Sequence, residues 1–198
     1  MPAPRVVPKI AFVNSRLLSR HAFPNLEVPP GVTAYELLPI PIGEMSRKRP
    51  EKVPAPAGLT ELALNDVEAP GVAPASDPRT KPVRFSFGGG DILLDVSIAI
   101  YIVDTYSRVP KVHQLITEHE YLHVRDGLTL ATSTMASLVR DDEEMRRYWS
   151  GTVWEGSAFF DRLRKLWSDE ADRLERIVDS GPTYESYRRQ ITSLLPRQ

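Results

Sequence analysis

The chain has 198 residues, with 25 Lys and Arg against 26 Asp and Glu, 18 Pro and no Cys. A formal charge of -1 excludes the basic footprint of a nucleic-acid binder or of a protein drawn to an anionic membrane, and the lack of cysteine excludes disulfides, thiolate metal sites and thiol nucleophiles. No apolar run approaches the ~20 residues of a spanning helix, and the opening MPAPRVVPKIAFVNSRLLSR is cut by prolines with no continuous apolar stretch, so the reading is cytoplasmic, with no signal peptide.

Fifteen of the 18 prolines precede residue 83. Proline removes a backbone donor and pushes its predecessor out of helical geometry. Residues 1–82 are therefore expected to form a Pro-rich extended arm with one or two short strands, at 9–13 and 32–38. The cluster Arg47-Lys48-Arg49 reads as a solvated loop. From Val83 the pattern changes. Val83, Phe85 and Phe87 alternate with polar residues, and Gly88-Gly89-Gly90-Asp91 follows as a turn. Ile92, Leu94, Val96, Ile98, Ile100 and Ile102 then occupy every even position of a strand over 92–103, which predicts one buried face and a hairpin with 83–87.

Helical spacing begins after Pro110. A helix is expected over 111–126, with Gly127 either ending it or lying inside a longer one that runs to about Val139. Asp141-x-x-Glu144 and Thr152-x-x-Glu155 match capping boxes, so Thr152 is expected to open a long helix to about Val178. A last short helix uses Tyr184, Tyr187, Ile191 and Leu194. Strands first and helices second predict an α+β fold, with residues 83–198 as the compact domain.

The chemistry is concentrated in His119-Glu120-Tyr121-Leu122-His123, an H-E-x-x-H string on the predicted helix. Residues four apart stack on one helical face, so both imidazoles can approach a single cation. Glu120, rotated ~100° from His119, lies beside that cation, where it can exchange a proton with an activated water. Chance writes such a string into roughly one chain of this size in two hundred, so its surroundings decide. His119 and His123 share their face with Leu115, Ile116, Leu122 and Leu130, which points the pair into the protein. Buried imidazoles need partners: a metal, or else carboxylates and carbonyls.

On these residues, a strand pair leading into an H-E-x-x-H helix followed by further helices, the chain over about 83–178 resembles the zincin metallopeptidases. It is similar to small bacterial zincin-like proteins with a downstream carboxylate ligand, the gluzincin arrangement. The resemblance implies Zn2+ as cofactor, His119 and His123 as ligands, Glu120 as general base, and an edge strand within 83–103 that holds a peptide or protein substrate in extended form. The downstream histidine of the metzincin pattern is absent, since position 129 is Thr.

A catalytic zinc site takes three protein ligands and keeps one position open. Glu170 interrupts the apolar stripe Phe159, Phe160, Leu163, Trp167, Leu174 and Ile177 and is the favoured third ligand, because a carboxylate there needs a cation or a donor. Glu143 and Glu144 are alternatives, with a role in a helix's first turn competing. Asp126 lies ~7.5 Å beyond the metal level along the helix, suited to a hydrogen bond with His123. His113 falls on another face, and Tyr101, Tyr106, Tyr184 and Tyr187 include candidates for an oxyanion-binding phenol. Two functions are consistent with these residues. One is a zinc-dependent peptidase; the other is a non-catalytic assembly or binding subunit whose Pro-rich arm wraps a protein partner.

Overall fold

The structure is a computed structural model that describes residues 2–13, 16–19, 22–52, 54, 56–77, 79, 81–180 and 182–194. In chain order the strands and helices are β1 (Val6–Phe12), β2 (Leu38–Ile40), α1 (Ile42–Lys48), β3 (Gly58–Glu68), β4 (Val72–Pro74), β5 (Arg84–Phe87) and β6 (Ile92–Val103). The second half continues with α2 (Asp104–Ser107), α3 (Pro110–Thr129), a π-helical turn (Leu130–Thr134), α4 (Met135–Asp141), α5 (Glu143–Trp149), β7 (Trp154–Glu155), α6 (Ala158–Ser180) and α7 (Pro182–Leu194). The mixture of strands and helices agrees with the α+β expectation.

β6 is the central strand of a sheet ordered β1-β6-β2, and β3 also pairs with it. Its even positions are all buried, as their alternation requires, but Ala99, Tyr101 and Val103 on the opposite face are buried too. A strand covered on both faces and paired on both sides is an inner strand, which corrects the expectation of an edge strand. The expected hairpin also does not form. β5 pairs antiparallel with β4, setting Val72 opposite Phe87, and with β7, setting Phe85 opposite Trp154. Gly89 and Gly90, at φ of 109° and 105°, turn the chain out of β5 before β6 begins. Alternation announces a strand, whereas its partner is set by contacts far away in sequence.

The proline-rich stretch is more structured than an arm with one or two short strands. It contributes β1 to β4 and α1. The strand expected at 9–13 lies within or beside β1. That at 32–38 shrinks to an isolated bridge between Leu17 and Tyr35, followed by β2, which pairs parallel with β6 from Leu38 opposite Tyr101 to Ile40 opposite Val103. β3 occupies a long proline-free interval of this region, between Pro56 and Pro70.

The chain divides into two compact units, one comprising Met1–Ala11, Ala63–Ser97 and Leu128–Asp172, the other Phe12–Leu62, Ile98–Gly127 and Arg173–Gln198. The core of the first includes Phe87, Tyr148, Trp154 and Phe159, with Phe159 stacked on Phe87 at 5.9 Å and on Trp154 at 5.3 Å between ring centroids. There Asp142, not Asp141, caps α5, accepting from the Met145 N–H at 2.9 Å. Thr152 does not open α6. Trp154 and Glu155 are taken by β7, Gly156 has φ +61°, and the helix starts at Ala158.

The core of the second unit includes Ile40, Met45, Leu59, Ala99, Tyr101 and Val103. α3 begins where expected and runs past Gly127, so the longer of the two helix alternatives holds. A Cβ on Gly127 would lie 3.1 Å from Leu62 Cδ1. The glycine thus serves close approach of β3 and α3 rather than helix termination.

Candidate metal centre

α3 brings His119 and His123 onto one face with their Nε2 atoms 3.3 Å apart. Asp179, in the last turn of α6, completes a triangle. Its Oδ1 lies 3.1 Å from His123 Nε2 and 3.4 Å from His119 Nε2. The three side chains are 12%, 15% and 21% exposed for His119, His123 and Asp179. Two imidazole nitrogens and a carboxylate oxygen that converge in this way can share protons in hydrogen bonds or hold a metal ion. Among the described residues this is the group able to hold a metal ion.

The electrostatics show what a proton does there. Burial alone would depress His123, but the hydrogen bond to Asp179 and the charges of Glu120, Asp179 and Glu175 raise its pKa above the ordinary 6.5. Burial would raise Asp179, yet hydrogen bonds from His119, His123 and Lys52 hold it well below the usual carboxylate range. Both shifts describe one ion pair.

Glu120 is 3% exposed. The Thr60 hydroxyl of β3 lies 2.9 Å from its Oε2 and 3.2 Å from its carbonyl oxygen. Gly58 lets the strand come this near, since a Cβ there would fall 2.5 Å from both Glu120 Oε1 and Ile116 Cγ2. Next to it, the Tyr121 hydroxyl donates to the Tyr35 carbonyl at 2.6 Å, and burial pushes this phenol upward. Tyr184 and Tyr187 of α7 flank His119, with ring centroids 5.3 and 5.7 Å from its own. Burial and the Asp179 charge raise Tyr184.

The remaining expected site residues lie elsewhere. Glu170 belongs to α6 but sits nine residues before Asp179, ~13.5 Å along the helix, and is not in the histidine group. Nine residues are also about two and a half turns, so Glu170 and Asp179 lie on opposite faces of α6. Glu143 and Glu144 occupy the first turn of α5, where Glu143 meets Arg147, and Glu144 meets the Tyr148 hydroxyl and Arg162. Asp126 accepts from Arg125 at 2.7 Å, while His123 turns to Asp179. His113 meets Phe23 edge-on at 4.8 Å, and its burial lowers its pKa. Tyr101 lies in β6 under the Lys48 ammonium.

Sequence reasoning missed Asp179 because it stands in Val178-Asp179-Ser180 at a helix end, where an acidic residue has no periodic signature. It also missed the cluster around it. Arg47-Lys48-Arg49 is no solvated loop: Lys48 pairs with Glu61 at 3.0 Å and Arg49 with Glu175 at 2.8 Å. No helix among the described residues is long and apolar enough to cross a membrane. Compared with protein-family models, curated proteins and solved structures, the chain finds no match in any of the three.

Proposed function

We propose that this protein is a zinc-dependent hydrolase with peptide bonds as its substrate class. Its metal would be held by His119, His123 and Asp179, and Glu120 would be its general base. The supporting observation is the triangle of 3.1, 3.3 and 3.4 Å. Two imidazoles with one carboxylate are a donor set that zinc accepts while keeping a fourth position open.

A zinc ion in this site supplies Lewis acidity and a water that ionises near neutral pH. The chain's own residues do the rest. Thr60 holds Oε2 of Glu120, and this carboxylate is assigned to accept the proton and then return it to the leaving amine. Tyr184 and Tyr187 form an aromatic wall beside His119, which shields the site from bulk water. Because β6 is an inner strand, an extended substrate cannot pair along it, and substrate recognition falls to other surfaces.

One observation favours the second reading, a non-catalytic assembly or binding subunit. Glu120 is nearly fully buried and held by Thr60, as a structural carboxylate would be. The test is metal analysis with peptide-library cleavage for the wild type, His119→Ala and Glu120→Gln. Stoichiometric zinc in wild type and Glu120→Gln, its loss in His119→Ala, and cleavage by wild type alone support the hydrolase. Zinc without cleavage supports the subunit, and a metal-free wild type contradicts the hydrolase.

A further inference from the structure

Asp179 has a second carboxylate oxygen, and a lysine occupies it. Lys52 Nζ lies 2.7 Å from Asp179 Oδ2 and 2.8 Å from Glu175 Oε1. Arg49 donates to the other oxygen of Glu175 at 2.8 Å. Glu175 and Asp179 are four residues apart on α6, so their carboxylates lie on one face. Arg49 and Lys52 come from the stretch just after α1, where the Lys52 N–H donates to the Arg49 carbonyl at 3.2 Å. The result is a ladder in which cations and carboxylates alternate: Arg49, Glu175, Lys52, Asp179. Its four side chains are each about a third exposed or less. Bulk water therefore competes weakly for them.

A carboxylate can bind a cation through one oxygen or through both. Two-oxygen binding would fill the position that an incoming water or substrate needs. We propose that Lys52 is a positioning residue that makes Asp179 a one-oxygen ligand: by engaging Oδ2, its ammonium leaves only Oδ1 for the metal and keeps a coordination position open. Arg49 and Glu175 hold the ammonium in place from behind. This rests on the metal reading above and goes beyond it by assigning the coordination mode and the residue that sets it. Ligating carboxylates are themselves normally held by hydrogen bonds; here the partner is a charged donor from a distant segment.

The test uses the cobalt(II)-substituted protein, whose visible absorption distinguishes four-coordinate from five-coordinate ions without any turnover. The wild type and Lys52→Arg are expected to show the strong bands of a four-coordinate site. In Lys52→Met and Lys52→Ala, Oδ2 is free to join the ion, and a several-fold loss of visible absorption with a five-coordinate band pattern is expected at unchanged cobalt stoichiometry. Two charge-removing variants are used so that either one, if folded by circular dichroism, decides the matter. Spectra identical to wild type in the folded variant would overturn the role of Lys52 alone. A wild type that binds no cobalt would overturn the metal reading, and this proposal with it.

Discussion

His119, His123 and Asp179 present their metal-competent atoms to one another across 3.1 to 3.4 Å, so protons and a metal ion compete for the same atoms. In the metal-free protein burial opposes a proton on His123, but the hydrogen bond to Asp179 and the charges of Glu120, Asp179 and Glu175 favour it and raise the pKa. Two outcomes follow at opposite ends of one pH scale. A metal must displace that proton, so zinc affinity measured by competition with a chelator should fall as pH drops through the His123 range, which begins above 6.5, by about tenfold per unit for each proton displaced. The metal-free protein should show the reverse trend. A raised folded-state pKa contributes stability that is complete below the unfolded value and is lost as pH rises through the folded one. Melting temperatures in EDTA should therefore decline as pH rises above about 6.5, and the decline should be smaller in Asp179→Asn, where the Glu120 and Glu175 charges remain. At this scale the sequence was informative where chemistry and spacing coincide. His119, Glu120 and His123 are recognisable because i, i+4 is itself the geometry of a shared ligand. Asp179 is not, because its 56-residue separation from His123 exists only in the folded chain.

Elements were legible in proportion to how local their causes are. α3 and β6 carry their periods in their own residues and stand where those periods put them. The pairing of β5 and the start of α6 were misread because both depend on β7, a two-residue strand with no periodic signal. The contact of β3 with α3 is similarly silent in sequence, yet it seats Glu120. Gly58→Ala would set a methyl 2.5 Å from both Glu120 Oε1 and Ile116 Cγ2. We expect it to cost about 1–3 kcal/mol by urea denaturation, the usual cost of overpacking. Tyr121→Phe removes the donor to the Tyr35 carbonyl and should cost about 1–2 kcal/mol by the same measurement, without altering metal stoichiometry.

For the whole molecule, the proline skew toward residues 1–82 does not mark a detachable arm. Prolines there punctuate short strands and turns, and the sheet around β6 draws on β1, β2 and β3 from that region. Deleting residues 1–57 removes β1, β2 and α1. It exposes the paired edges of β6 and the apolar residues that Ile40 and Met45 cover. The truncated chain should lose its cooperative thermal transition in circular dichroism; a retained transition would show that β6 and the helices fold without these strands. Composition set this trap: a proline-rich stretch lacks long helices, but short strands tolerate proline at their edges and ends, as Pro39 in β2 and Pro74 in β4 do.

The central claim is that the last turn of α6, rather than its middle, supplies the third metal ligand. Zinc content of purified Asp179→Asn and Glu170→Gln, measured beside wild type by atomic emission, tests it most directly. The account predicts stoichiometric zinc in wild type and Glu170→Gln and loss of most of it in Asp179→Asn. Retention of zinc by Asp179→Asn, or its loss in Glu170→Gln at unchanged fold, would contradict it.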